Sequence, residues 1–189
     1  ALVGVWWGNS FDDRTKTGNW FYESTDGATW VKHELTVESR ENLDQMDIDY
    51  HNGTYVRVGS TGSIYTSTDL NNWTKRTSGT TLKLVGVTYG KGQFIVTGDK
   101  GTILTSSNGI NWTKQESGTD SYLIRSRYAN GMYIACGYNG ALLQSIDGIL
   151  WNDISSNHTG TRYGLAYNNR DNIMVISSHH YSTTNTIPL

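Results

Sequence analysis

The chain has 189 residues and a formal net charge of −2, with 15 Lys and Arg against 17 Asp and Glu. That length buries a sizeable core as one domain, and the near-neutral balance removes the electrostatic case for a nucleic-acid binder, which presents a basic face. No apolar run is long enough to expect membrane insertion through a helix. With 21 Gly, 1 Pro, 7 Trp, 12 Tyr and only 17% charged residues, the composition points to short strands and tight turns.

Taken in chain order, the first eight residues lack a basic start or a long apolar run, so no signal peptide is read there, and a start at Ala1 suggests a processed or excised piece. The run 2–6 (LVGVW) reads as a strand and 19–24 (NWFYES) as the next. The loop between them, residues 8–19, is about seven residues longer than its later counterpart at 59–63. It carries Asp12, Asp13, Arg14 and Lys16 and is flanked by Trp6, Trp7 and Trp20. Exposed Trp beside polar groups stacks sugar rings or grips peptide edges; the alternative is that Trp6 and Trp7 pack between sheets. Residues 36–45 gather Glu38, Arg40, Glu41 and Asp44 and read as a solvated charged loop.

From there a repeat takes over. Tyr50, Tyr89, Tyr128 and Tyr167 are each 39 positions apart. Around Tyr89 the phrase runs 85–89 (VGVTY), 93–98 (QFIVTG), 101–106 (GTILTS) and 112–116 (WTKQE), each piece short and closed by Gly, Asn, Asp or Ser. Such a unit is four strands, A to D, joined by hairpins. Cys136 is alone, which excludes an internal disulfide, and lies in the apolar strand B phrase 132–136 (MYIAC), where it reads as a small buried hydrophobe. At the end, 162–167 reads as strand A, 173–177 as strand B and 181–185 as a faded strand C with no D after it.

A four-stranded unit cannot bury both faces alone, whereas radial stacking buries them. The expected fold is therefore an all-β β-propeller of about five blades, near residues 1–36, 37–77, 78–116, 117–155 and 156–189, with an arc of a larger propeller as the alternative. The incomplete first and last units leave open sheet edges that invite association with another chain.

The C–D turn is the sharpest signature: 24–30 (STDGATW), 67–73 (STDLNNW), 106–112 (SSNGINW) and 145–151 (SIDGILW). Asp or Asn accepts backbone N–H groups two and three residues on, Ser bonds back into the turn, and Trp covers the seam between sheets. This pattern resembles the Asp-box, or BNR, repeat of sialidase-like propellers and of many non-enzymatic ones, and the resemblance spans essentially the whole chain. It departs in one respect: the family places five positions from Asp to Trp, and here Asp26 to Trp30 is four. The resemblance implies that Ser24, Asp26, Trp30 and their equivalents are structural and lie away from the ligand face.

Strand A lines the channel of a propeller. Three residues before the repeated Tyr stand Asp47, Gly86, Arg125 and Gly164; one residue before it stand Asp49, Thr88, Arg127 and Ala166. Each charged pair faces one way because strands alternate with period two. Asp47, Asp49, Arg125 and Arg127 either grip a polar ligand or neutralise one another across the channel. His179 and His180, placed on the last C strand or its approach, point to opposite faces and do not form a metal site, and no cofactor is expected. Four glycosylation sequons occur, two of them by-products of the repeat.

A sialidase needs an Arg triad, a Tyr–Glu nucleophile pair and an acid/base Asp; no arginine-containing start motif and no partnered Tyr stand here, so no catalytic residues are expected. The leading reading is a non-catalytic module that binds a glycan or other surface polymer through Trp6, Trp7, Trp20, Asp47, Asp49, Arg125 and Arg127, in a secreted, cell-surface or viral particle protein. A protein–protein assembly scaffold, as in photosystem assembly factors with similar repeats, is the alternative, and a sialidase-like glycosidase comes third.

Overall fold

The computed structural model describes residues 2–6, 20–34, 45–156, 159–168, 170–171 and 173–179. Among them the chain forms five antiparallel sheets in sequence order. The first is β1 (Leu2–Trp6), β2 (Trp20–Ser24) and β3 (Val31–Glu34). Three four-stranded sheets follow: β4 (Gln45–His51) to β7 (Thr74–Arg76), β8 (Leu84–Gly90) to β11 (Thr113–Gln115), and β12 (Leu123–Ala129) to β15 (Asn152–Asp153). The last pairs β16 (Thr161–Asn168) with β17 (Ile173–His179). The fold is a β-propeller array, and its extensive packing among the described residues joins chain-consecutive sheets, with β4, β8, β12 and β16 side by side as inner strands.

The core lies in the seams. Val56, Val58 and Ile64 of the second sheet pack against Leu84, Val87, Phe94, Val96 and Leu104 of the third. Ile95 and Ile103 meet Leu123, Tyr133, Ala135 and Leu143 one seam on, and Ile134, Cys136 and Leu142 meet Leu165, Met174 and Ile176 at the next. Alternate residues of one B strand thus serve two different seams, so both faces of the third and fourth sheets are apolar. Cys136 is fully buried, and that burial pushes its thiol up to about 11, which leaves it a packing group and not a nucleophile.

The C–D turns follow one hydrogen-bond scheme. Ser24, Ser67, Ser106 and Ser145 each accept a backbone N–H three residues on, at 2.8 to 2.9 Å. The oxygen of Asp69 accepts Asn71 and Asn72 N–H, that of Asn108 accepts Ile110 and Asn111, and that of Asp147 accepts Ile149 and Leu150. Because Asn108 does this with a neutral amide, the turn requires an acceptor oxygen and not a charge. The next residue has positive φ in every copy: Gly27, Leu70, Gly109 and Gly148. Leu70 carries the usual non-glycine strain there, offset by burial with Ile48, Tyr55 and Trp73. Trp73, Trp112 and Trp151 donate their indole N–H to the carbonyl three residues back, and Trp112 and Trp151 pack on the seam clusters.

Two details differ from the sequence reading. His179 ends β17, a B strand opposite Thr161, and is not on a C strand. The hairpin before β17 is two residues longer than its counterparts, pairing Asn168 with Ile173 where the fourth sheet pairs Ala129 with Met132. Trp7, the loop 8–19, the charged segment 36–44, His180 and the faded strand 181–185 lie outside the described residues.

Candidate functional site

The inner strands β4, β8 and β12 lie next to one another, so residues in equivalent positions of successive sheets face across a single strand. Gly86 makes the approach close: a Cβ there would stand 3.2 Å from the Ile124 carbonyl oxygen and 3.5 Å from Arg125 Cα. This brings Asp47, Asp49, Arg125 and Arg127 together, although the acids and the guanidiniums are two sheets apart in sequence.

The carboxylates are occupied by backbone. Asp47 accepts its neighbour Ile48 N–H at 3.0 Å with one oxygen and Val87 N–H of the next sheet at 3.1 Å with the other. Asp49 repeats this, accepting Tyr50 N–H at 2.8 Å and Tyr89 N–H at 2.6 Å. The free edge of β8 would otherwise present these amides unpaired. Both acids therefore staple the second sheet to the third. Arg125 Nη1 stands 3.7 Å from Asp47, and Arg127 acts on Asp49 electrostatically. Asp47 and Arg125 thus form one charge pair across β8.

Burial pushes the Asp47 carboxyl from 3.8 up to about 6; Asp49 adds to the rise, while the Val87 N–H and Arg125 oppose it. Asp49 is shifted upward for the same leading reason. With the folded value raised, the folded state holds this proton more tightly than the unfolded chain between about pH 4 and 6. The Asp47 contribution to stability therefore falls as pH rises through that window and is level above it. Asp47→Asn is expected to flatten the decline: in urea unfolding at a series of pH values, the variant gains on the native sequence between pH 4 and 6. A difference that stays constant with pH would contradict the assignment.

Both guanidiniums keep exposed surface beside these contacts. Arg125 and Arg127 are exposed, on the same side of β12, and present planar forks suited to a carboxylate or phosphate. Trp6 and Trp20 are direct register partners at the end of the β1–β2 hairpin, next to the loop 8–19. They are not part of the inner-strand group.

Sequence reasoning missed Arg57. It is 5% exposed, with its guanidinium 4.4 Å from the Tyr65 ring and 4.5 Å from the Trp73 ring, and its Nε and Nη1 are buried without a hydrogen-bond partner. Burial lowers its pKa to about 10. The signal was in the repeat, where Val96 and Ala135 take the equivalent positions. Buried between the two rings, it reads as a packing cation. A groove of about 830 Å³ beside Thr61, Lys75 and Thr80 has a smaller counterpart of about 270 Å³ at Lys100, Lys114 and Thr119 one repeat on. Its recurrence marks it as a product of blade geometry.

The sheets and their inner-strand charges define a protein of the β-propeller class. No family model and no curated protein matches the chain. Among solved structures it is similar to YCF48 from Cyanidioschyzon merolae, at 12% identity and TM-score 0.58, covering 80% of this chain and 56% of that one. It is also similar to YCF48 bound to D1 peptide, at 14% identity and TM-score 0.55, covering 67% and 44%. The C-terminal WD40 domain of Sif2 matches at 11% identity and TM-score 0.58, covering 86% and 49%. The chain thus spans about half the length of the structures it matches, and the likeness is one of fold.

Proposed function

We propose that this array is a non-catalytic binding module that holds a protein segment bearing acidic side chains or a terminal carboxylate against the exposed Arg125 and Arg127. The observation that carries the reading is the occupation of both oxygens of Asp47 and of Asp49 by backbone N–H groups. Those amides hold the two carboxylates in place, and Arg125 and Arg127 keep exposed surface beside them for a further anion. The structure of YCF48 with a bound peptide supports the idea that this fold presents such a surface.

The test is fluorescence anisotropy with a labelled peptide ending in consecutive glutamates. Binding that weakens with salt, and weakens at least about tenfold in an Arg125→Ala/Arg127→Ala variant of unchanged fold, is the expected result. Equal binding by the double variant would refute the site. The glycan reading rests on a different observation, the cross-strand placement of Trp6 and Trp20 beside the long loop that Trp7 enters. It goes with a secreted, cell-surface or viral particle protein. A glycan array on the native sequence and on Trp6→Ala, Trp7→Ala and Trp20→Ala variants decides it, and no binding by the native sequence ends it.

A further inference from the structure

The same seam is built three times between described side chains, and side chains equivalent to its two halves are exposed in the last and first described sheets. The forward half can be followed by register. Asp49 pairs with Val56, Thr88 with Ile95, Arg127 with Ile134 and Ala166 with Val175. Val56, Ile95 and Ile134 each enter the seam toward the following sheet and are 0%, 0% and 6% exposed. Val175 occupies the same position in the last sheet and is 57% exposed, with Ile173 on the same side of β17 at 52%. The opposite side of that strand is spoken for, since Met174 and Ile176 pack back on the fourth sheet.

The rear half is marked by the turn tryptophan. Trp112 packs on the cluster that contains Val56, and Trp151 on the one that contains Ile95. Trp30 is their equivalent in the first sheet and is 45% exposed. The array therefore offers at one end the apolar side chains that elsewhere receive a Trp, and at the other a Trp of the kind they receive.

We infer that the forward face of β17 docks the rear face of the first sheet of a second copy of this chain, head to tail, with Val175 and Ile173 against Trp30. The partner is specified by continuity with the internal seams, whose chemistry is apolar on both sides. Because different surfaces meet, the contact is heterologous, and it closes into a ring or propagates.

Sedimentation velocity across a concentration series tests this with two exposed substitutions, Val175→Lys and Trp30→Lys, each checked for an unchanged circular dichroism spectrum. The native sequence is expected to self-associate, and either substitution alone to weaken association at least about tenfold. The decisive arm mixes the two variants. Each retains the face the other has lost, so the mixture forms a one-to-one dimer that does not grow. A native sequence that stays monomeric at all concentrations overturns the inference, as does association that survives both substitutions or a mixture that remains monomeric.

Discussion

Gly101→Ala is expected to destabilise the protein by about 3–5 kcal/mol, placing it among the most damaging single substitutions in the chain. Gly101 closes the turn between β9 (Gln93–Gly98) and β10 (Ile103–Ser106) at φ +63°. A Cβ there would lie 1.8 Å from the Thr119 carbonyl oxygen, 2.8 Å from its carbon and 2.6 Å from Ser117 Oγ. Two of the three obstacles are backbone, which cannot rotate away. Gly118→Ala is the control. Its φ is +75° but nothing stands within 4 Å of the added carbon, so only the left-handed strain of about 1 kcal/mol applies. At roughly 2–4 °C per kcal/mol for a chain of this size, calorimetry separates the two. Equal melting temperatures for both variants would mean that the loop after β11 does not lie over this turn.

The second large effect is expected at Tyr133, which is fully buried at the seam between the third and fourth sheets. Its ring packs 4.8 Å from Tyr128 and 6.5 Å from Trp151, and its hydroxyl donates to the Gly90 carbonyl of the neighbouring sheet. Tyr133→Ala removes the ring and leaves a cavity between sheets, at about 4 kcal/mol. Tyr133→Phe removes only the hydroxyl, at about 1 kcal/mol, and the chain already places Phe94 at the equivalent register position, opposite Tyr89 as Tyr133 is opposite Tyr128. Urea midpoints in that order mean that seam packing stabilises the protein more than the hydrogen bond does; a Phe variant as damaged as the Ala variant would reverse the ranking.

Both expectations concern features that the repeat made visible. The 39-residue spacing of Tyr50, Tyr89, Tyr128 and Tyr167 located the inner strands, and the Ser–x–Asp turns located the hairpins between C and D strands, because those turns are fixed by side-chain oxygens written in the sequence. The role of Asp47 and Asp49 was not visible in the same way. Their partners are the amides of Val87 and Tyr89, backbone groups that every residue but proline carries, so no residue type announces the staple. Sequence showed that two acids and two arginines occupy equivalent positions, and only the proximity of β4, β8 and β12 showed that Asp47 and Arg125 meet across β8. Arg57 escaped because attention fell on exposed departures from the repeat, whereas this one is buried between Tyr65 and Trp73. The displaced His179 follows from the longer hairpin after Asn168, a length change that shifts register without altering the apolar alternation of β17.

The repeated turn residues hold the hairpin between the C and D strands in each described copy. Thermal unfolding of Ser67→Ala, Ser106→Ala and Ser145→Ala tests this most directly, since each hydroxyl accepts the N–H of the residue at the chain reversal and is buried. Each substitution is predicted to cost about 1–2 kcal/mol and to lower the melting temperature by a similar amount in all three sheets, while Asp147→Asn, which makes the turn like that of Asn108, is predicted to change it little. Melting temperatures unmoved by the three Ser substitutions would contradict the scaffold role of the repeat.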